Sequence, residues 1–355
     1  MSGPHNSGDV IHGRYEIINY VGEGGMQFVY AAKDRILKRE VALKTPKNNS
    51  AKKRFHRSAV LSACINHPNV AKTLDYLEDG DGQYLVEELI EGTDLDKAFL
   101  KKTKCLDPYL AARVFHYLAK GLAASHHAGV VHRDLKPTNV MVIDGFQLNA
   151  IKITDFGIAK MADEEIAEAV EGGDESISAS STVVGALPYM APEAIDTPRE
   201  VGKPADIWSI GAMMFELLTG EKPYGSGLKA VAKIQEAQPP VFPPFLTANP
   251  QFSPLAEKLK RLVLQCLQKA PNSRPNADSL VTLCGDLCYP VESRSFGTVR
   301  EIRHRAWGFI NVSGEDVFFH LACVYGDRPA VGDRVMLSKF PGGGAWRAHP
   351  VVKLI

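Results

Sequence analysis

His132-Arg133-Asp134-Leu135-Lys136-Pro137-Thr138-Asn139 is the stretch whose reading decides the fold of this chain. It follows Val130-Val131 and precedes Val140-Met141-Val142-Ile143. A polar run between apolar runs predicts a loop held at both ends by packed segments. The loop carries a carboxylate (Asp134), an ammonium (Lys136) and an amide (Asn139) close together. Phosphoryl transfer uses this set: a base for the incoming hydroxyl, a cation beside the transferring group, and an oxygen donor for metal. A charged surface loop carries similar residues, so the rest of the chain has to separate the two readings.

The chain has 355 residues, which predicts more than one domain. Apolar residues make up 45% and charged residues 23%, an ordinary globular composition. Lys+Arg and Asp+Glu both total 41, so global charge favours neither nucleic acid nor membrane as partner. The six cysteines are scattered, and Cys284 and Cys288 have no second Cys or His pair at zinc spacing. They read as reduced thiols. No apolar run reaches the length of a membrane span, and Met1-Ser2-Gly3-Pro4-His5 lacks the apolar core of a signal peptide. The expectation is a cytoplasmic protein without membrane contact.

Upstream of the loop, residues 1–13 are small and polar and are expected to be disordered. Tyr15-Glu16-Ile17-Ile18-Asn19-Tyr20-Val21 reads as a strand running into Gly22-Glu23-Gly24-Gly25-Met26-Gln27-Phe28-Val29. Glycines let backbone N–H groups approach a phosphate. Val41-Ala42-Leu43-Lys44 is a short strand ending in one lysine. Residues 50–66 read as a helix, with Phe55, Ala59, Ser62 and Cys64 roughly on one side. Strands follow from Val70 and at Gln83–Val86, and Leu110–His127 carries a buried helical stripe.

Downstream, Ile151-Lys152-Ile153-Thr154-Asp155-Phe156-Gly157 is a strand ending in Asp-Phe-Gly. Residues 158–181 turn acidic and then hydroxyl-rich, with Ser176, Ser178, Ser180, Ser181 and Thr182 as phosphorylatable positions. Helices are expected from Asp206 through Leu218 and over Leu255–Leu267, and Arg274 is a candidate partner for Glu193.

With these motifs in this order, residues 14–288 resemble a eukaryotic-like (Hanks-type) Ser/Thr protein kinase of the kind found in bacteria. The resemblance implies two lobes with ATP and Mg²⁺ between them, and protein substrates. It implies Asp134 as catalytic base, Lys136 as a cation at the γ-phosphate and Lys44 as the phosphate-orienting lysine. Gly22, Gly24, Gly25, Val29, Lys44, Glu88, Asn139 and Asp155 would line the nucleotide, and Asn139 and Asp155 would hold metal.

The chain departs from that pattern at four places. Gln27 stands at the third glycine of the loop, and Ser58 at the helix glutamate that normally pairs with the strand lysine. Glu87 replaces an apolar residue just before the hinge, and Ala186 the threonine whose hydroxyl reaches the catalytic aspartate. A buried carboxylate needs a cation, so one reading has Glu87 take over the pairing with Lys44; the other has it point to solvent or pair elsewhere.

After a linker at 289–296, residues 297–355 change to short strands: Thr298–Ile302, Ala306–Ile310, Val317–His320, Arg334–Leu337 and Pro350–Val352. Five short strands predict a small all-β barrel. By alternation Trp307 and Phe309 share one face, as do Phe318 and His320. Such rings can form core, or can stack bases when Arg300, Arg305 and other basic residues stand among them. The segment resembles a cold-shock (OB-fold) domain through Gly297-Thr298-Val299, Ala306-Trp307-Gly308-Phe309-Ile310 and Val317-Phe318-Phe319-His320. That implies single-stranded RNA or DNA as partner. Glu301 replaces a stacking tryptophan, and the loop around His304 is one residue short. The fold class expected is α+β: a bilobal kinase fold followed by a five-stranded barrel. The alternative function is a pseudokinase or nucleotide-binding scaffold whose barrel docks proteins.

Overall fold

The computed structural model describes residues 3–23, 27–47, 55–56, 59–156, 185–197, 201–227 and 229–355. The expected disordered start is largely ordered. β1 (Val10–Ile11) pairs antiparallel with β2 (Tyr15–Glu23), and the His5 ring packs edge-on against Tyr30 with centroids 5.5 Å apart. Two apolar residues and one ring are enough to cover a sheet edge, a signal too short to stand out among polar neighbours.

β3 (Gln27–Asp34), β4 (Arg39–Pro46), β5 (Thr73–Asp79) and β6 (Gly82–Glu88) complete an antiparallel sheet in the order β1-β2-β3-β4-β6-β5. Alternate residues Tyr15, Ile17, Tyr30, Ala32, Val41 and Leu43 point into its core. The helix expected on the opposite side is described at 55–56 and 59–63. Phe55 and Ala59 pack against Leu85, and Ser62 is buried. Cys64, expected on the same side, is exposed, because the helix ends before it and the chain turns.

Beyond this sheet the chain is mainly helical. α1 (Pro108–His127) is capped by Asp107, whose carboxylate accepts from the N–H groups of Tyr109 and Leu110. α2 (Pro192–Asp196) leads to α3 (Lys203–Thr219), which is buried on all sides and so occupies the centre of this lobe. α4 (Lys229–Glu236), α5 (Phe245–Ala248), α6 (Ser253–Cys266) and α7 (Ala277–Gly285) follow; α6 and α1 pack against α3, and α7 packs on α1. A small sheet of β7 (Thr93–Asp94), β8 (Val140–Ile143) and β9 (Ala150–Ile153) carries the loops that face the first lobe. Among the described residues no helix is long and apolar enough to cross a membrane.

The expected Arg274–Glu193 pair forms, with Nη2 to Oε2 at 2.8 Å. The guanidinium also donates to the carbonyls of Pro204, Gln268 and Lys269 and lies over Trp208. Arg274→Ala is expected to destabilise this lobe by about 2 kcal/mol, since charged hydrogen bonds are lost at a buried site. A urea midpoint equal to that of the wild type would show that the tie is incidental.

The last strands are β10 (Ser295–Arg303), β11 (Trp307–Val312), β12 (Glu315–His320), β13 (Val324–Tyr325), β14 (Arg334–Phe340) and β15 (Arg347–Lys353). β11 pairs with β10 and β12, β14 with β10 and β15, and a parallel β12–β15 contact closes a five-stranded barrel. Val299, Ile310, Val317, Phe319, Val335 and Val351 fill its interior.

The barrel is packed onto the helical lobe. Tyr325, Met336 and Val352 join that lobe's core, and His349 stacks on Phe252 and meets the Tyr109 hydroxyl at 2.9 Å. Arg294, within the expected linker, is buried and reaches Asp107 at 3.0 Å.

Candidate active site and aromatic face

The loop from His132 to Asn139 is held from below. Asp206, in the first turn of α3, is fully buried. Its carboxylate accepts from the backbone N–H of His132 at 2.8 Å and of Arg133 at 2.7 Å, and meets His126 Nε2 at 2.9 Å. Arg133 has φ 69°, a left-handed turn that these two bonds stabilise. His132 in turn reaches the Thr154 carbonyl through Nε2 at 2.9 Å, and its ring packs on Phe156. The loop and the Asp-Phe-Gly strand are thereby tied together.

Asp134 projects from this frame. Lys136 Nζ lies 3.0 Å from Asp134 Oδ1 and 2.8 Å from Oδ2. Asn139 Nδ2 donates to the Asp134 carbonyl at 2.8 Å and to Oδ2 at 3.0 Å. The side-chain nitrogen of Asn139 is thus committed to the loop, which leaves its oxygen for another ligand. Ala186 is buried and supplies no hydroxyl, so among the described residues Lys136 and Asn139 hold the carboxylate.

Asp155, two residues beyond the end of β9, has φ 63°. Its Oδ1 accepts from Lys44 Nζ at 2.7 Å and from Gln27 Nε2 at 2.8 Å. The same lysine lies 2.6 Å from Glu87 Oε2. The exchange of partners is therefore present, with Lys44 held by Glu87 from the sheet. Burial opposes the charge on Lys44, but Asp155 and Glu87 outweigh it and raise its affinity for the proton. Burial also works against an ionised Asp155, yet Lys44 and Gln27 draw its pKa below the ordinary carboxylate value. Glu87 moves the other way: burial raises its pKa, and Lys44 offsets this only in part.

Gly22 pairs with Val29 across the β2–β3 hairpin, and a side chain at Gly22 would meet open space. Glu88 Oε1 accepts from Lys152 Nζ at 2.7 Å and from the N–H of Lys72 at 2.7 Å, and the Glu88 N–H donates to the Lys72 carbonyl at 3.0 Å. Gly24, Gly25 and Ser58 lie outside the described residues, as do Ser176, Ser178, Ser180, Ser181 and Thr182.

The roles of two residues are not legible in the sequence. Asp206 was visible only as the start of an apolar helix. A carboxylate at the head of a run of apolar residues was the available signal. Gln27 shows in the sequence only as a replaced loop glycine, and its reach to Asp155 crosses between lobes and has no sequence signature.

The family model for the protein kinase domain matches residues 15–283. This chain belongs to the protein kinase family. The kinase domain is 31% identical over 273 residues to a probable serine/threonine-protein kinase, CPE1738, of Clostridium perfringens, covering 75% of this chain and 37% of that protein. It is 31% identical over 274 residues to PrkC of Bacillus subtilis, covering 75% and 39%. With PknA of Mycobacterium tuberculosis it shares 34% over 254 residues, covering 68% and 56%. The chain thus spans less than half the length of the first two. Among solved structures, Rad53 in complex with AMP-PNP aligns at TM-score 0.57 and 23% identity, covering 76% of this chain and 64% of that one. The PknI kinase domain of Mycobacterium tuberculosis aligns at TM-score 0.57 and 22% identity, covering 80% and 98%. At these identities the two structures speak to the fold alone.

Outside the kinase domain, the barrel resolves which way its aromatics point. Gly308, Ile310, Val317 and Phe319 face inward, so Trp307, Phe309 and Phe318 stand on the outer face, partly exposed. Phe309 lies opposite Phe318, and Trp307 opposite His320. The three rings lie within 5.9 Å of one another. Arg300 covers Phe309 at 5.6 Å, and Arg303 covers Trp307 at 5.3 Å. These cations are paired: Glu301 binds both, and Asp316 binds Arg300. Arg305 is exposed. His320 turns its Nδ1 to the N–H of Ala322 at 3.0 Å. Lys339 and Lys353 are tied to Glu315 and Asp333.

Proposed function

We propose that this chain is an ATP-dependent protein serine/threonine kinase. The observation that carries this reading is Asp134, held by Lys136 and Asn139 on a loop that His132 and Asn139 tie to Thr154, next to the Asp155 that pairs with Lys44. In this role Asp134 accepts the hydroxyl proton of a Ser or Thr side chain, and Lys136 balances charge at the transferring phosphoryl group. Mg²⁺ suits the oxygen donors present. The Asn139 side-chain oxygen and the Asp155 carboxylate would hold it, and the buried Gln27 Oε1 beside Asp155 has no hydrogen-bond partner among the described residues. Bound there, the ion would neutralise phosphate charge. Lys44, fixed by Glu87, would orient the nucleotide phosphates, with Gly22 and Val29 of the hairpin above them. The test is transfer of label from γ-labelled ATP with Mg²⁺ to a generic Ser/Thr substrate, beside an Asp134→Ala control. Equal label in both overturns the reading.

For residues 297–355 we propose an OB-fold of the cold-shock kind that binds single-stranded RNA or DNA. The strand order, with β10 between β11 and β14 and β12 parallel to β15, supports the fold assignment. The outward rings of Trp307, Phe309 and Phe318 support the ligand. With Arg300 and Arg303 already paired to carboxylates, stacking contributes more than phosphate contacts, so salt dependence is shallow for a nucleic-acid site. Trp307→Ala is expected to weaken binding of a single-stranded oligonucleotide by about 1–3 kcal/mol. Absence of wild-type binding at low salt would favour protein docking instead.

A further inference from the structure

We propose that Glu87 is the positioning residue for Lys44, so that the register of the sheet, rather than the neighbouring helix, sets the phosphate-orienting lysine. This deepens the kinase reading and rests on it.

Lys44 lies on β4 and Glu87 on the adjacent antiparallel β6. Glu87 is opposite Ala42, and Lys44 is opposite Leu85. Residues 42 and 44 share a face of the sheet, so Lys44 and Glu87 are a diagonal cross-strand pair on that face. Their charged atoms lie 2.6 Å apart, and only 7% and 6% of the two side chains remain exposed. At that depth neither charge is tolerable alone.

The second carboxylate on Lys44, Asp155, belongs to the other lobe. Lys44 therefore has one partner within its own sheet and one across the cleft. Only the first is fixed by backbone hydrogen bonds. A helix can rotate or shift as a unit; a cross-strand diagonal cannot lengthen unless the ladder opens. The helix beside the sheet contributes differently. Phe55 and Ala59 pack on Leu85, and Ser62 Oγ donates to the Phe156 carbonyl at 3.0 Å. Among the described residues, the ion pairs of Lys44 are those with Glu87 and Asp155.

The test is a double-variant cycle with Glu87→Gln, Lys44→Met and the pair combined. Each is read for Mg·ATP affinity by nucleotide titration, for kcat and KM, and for unfolding midpoint. Glu87→Gln keeps the shape and one hydrogen bond, so it is expected to fold with a midpoint near the wild type. Its kcat/KM for ATP should fall on the order of tenfold to a hundredfold, with affinity falling too. In the Lys44→Met background the same change should have no further effect, because Glu87 acts through Lys44. Wild-type kcat/KM and affinity in Glu87→Gln would overturn the proposal, as would full additivity in the double variant. If the wild type binds nucleotide and transfers no phosphoryl group, the kinase reading fails, and the affinity arm of the cycle still decides the role of Glu87.

Discussion

Asp134→Asn should lower phosphoryl transfer by on the order of 10²–10⁴-fold, the range supplied by a positioned general base. Asparagine preserves the size of the side chain and can still accept from Asn139 Nδ2 or Lys136 Nζ. It cannot take a proton from a substrate hydroxyl. Nucleotide affinity should stay near the wild-type value, since in the proposed arrangement the nucleotide meets Lys44, Asn139 and Asp155 instead. The comparison to make is single-turnover transfer against nucleotide titration on the same preparation. A loss in affinity that matches the loss in rate would mean that Asp134 shapes the pocket rather than the chemistry.

The second large effect is on stability. Asp206→Ala should destabilise the helical lobe by about 3–5 kcal/mol, the cost of removing one partner from a buried charged network. The carboxylate is fully buried and serves three donors: the N–H groups of His132 and Arg133 and the His126 ring. Alanine leaves all three without an acceptor in a place where water does not compensate. The left-handed turn at Arg133 loses its support at the same time. Urea unfolding gives the stability change, and transfer activity should fall with it because the same bonds aim Asp134. A midpoint unchanged from wild type would show that the loop is held by other contacts.

Much of the site was legible because its parts are local. Asp134, Lys136 and Asn139 lie on one loop, and their hydrogen bonds span two to five residues. The strand carrying Lys44 and the one leading to Asp155 were readable from their apolar runs, although β4 runs on to Pro46 and β9 stops at Ile153. Glu87 was legible by a different route: a carboxylate placed where an apolar residue belongs needs a cation, and Lys44 was the nearest. Gln27 and Asp206 escaped that logic. Gln27 is uncharged, so nothing in the sequence demanded a partner. Asp206 pairs mainly with backbone N–H groups, which every residue offers.

The barrel shows the same division. Alternation correctly put Trp307 with Phe309 and Phe318 with His320, but a period of two does not say which face is inward. Closure of the sheet decides that: Ile310, Val317 and Phe319 fill the interior, and the three aromatics are left outside. The basic residues counted in the sequence also lose part of their meaning in three dimensions, since Glu301 and Asp316 sit against Arg300 and Arg303.

By itself the sequence determined the element order, the two-lobed fold with a barrel after it, and the reactive groups of the catalytic loop. These follow from periodicity and from residues a few positions apart, where chain connectivity keeps the partners close. The tertiary structure alone decided other meetings across long separations: Lys44 with Asp155, Gln27 with Asp155, and Asp206 beneath the loop. Burial is the reason. A charge removed from water has to find its partner wherever packing brings one, and packing is a property of the whole chain.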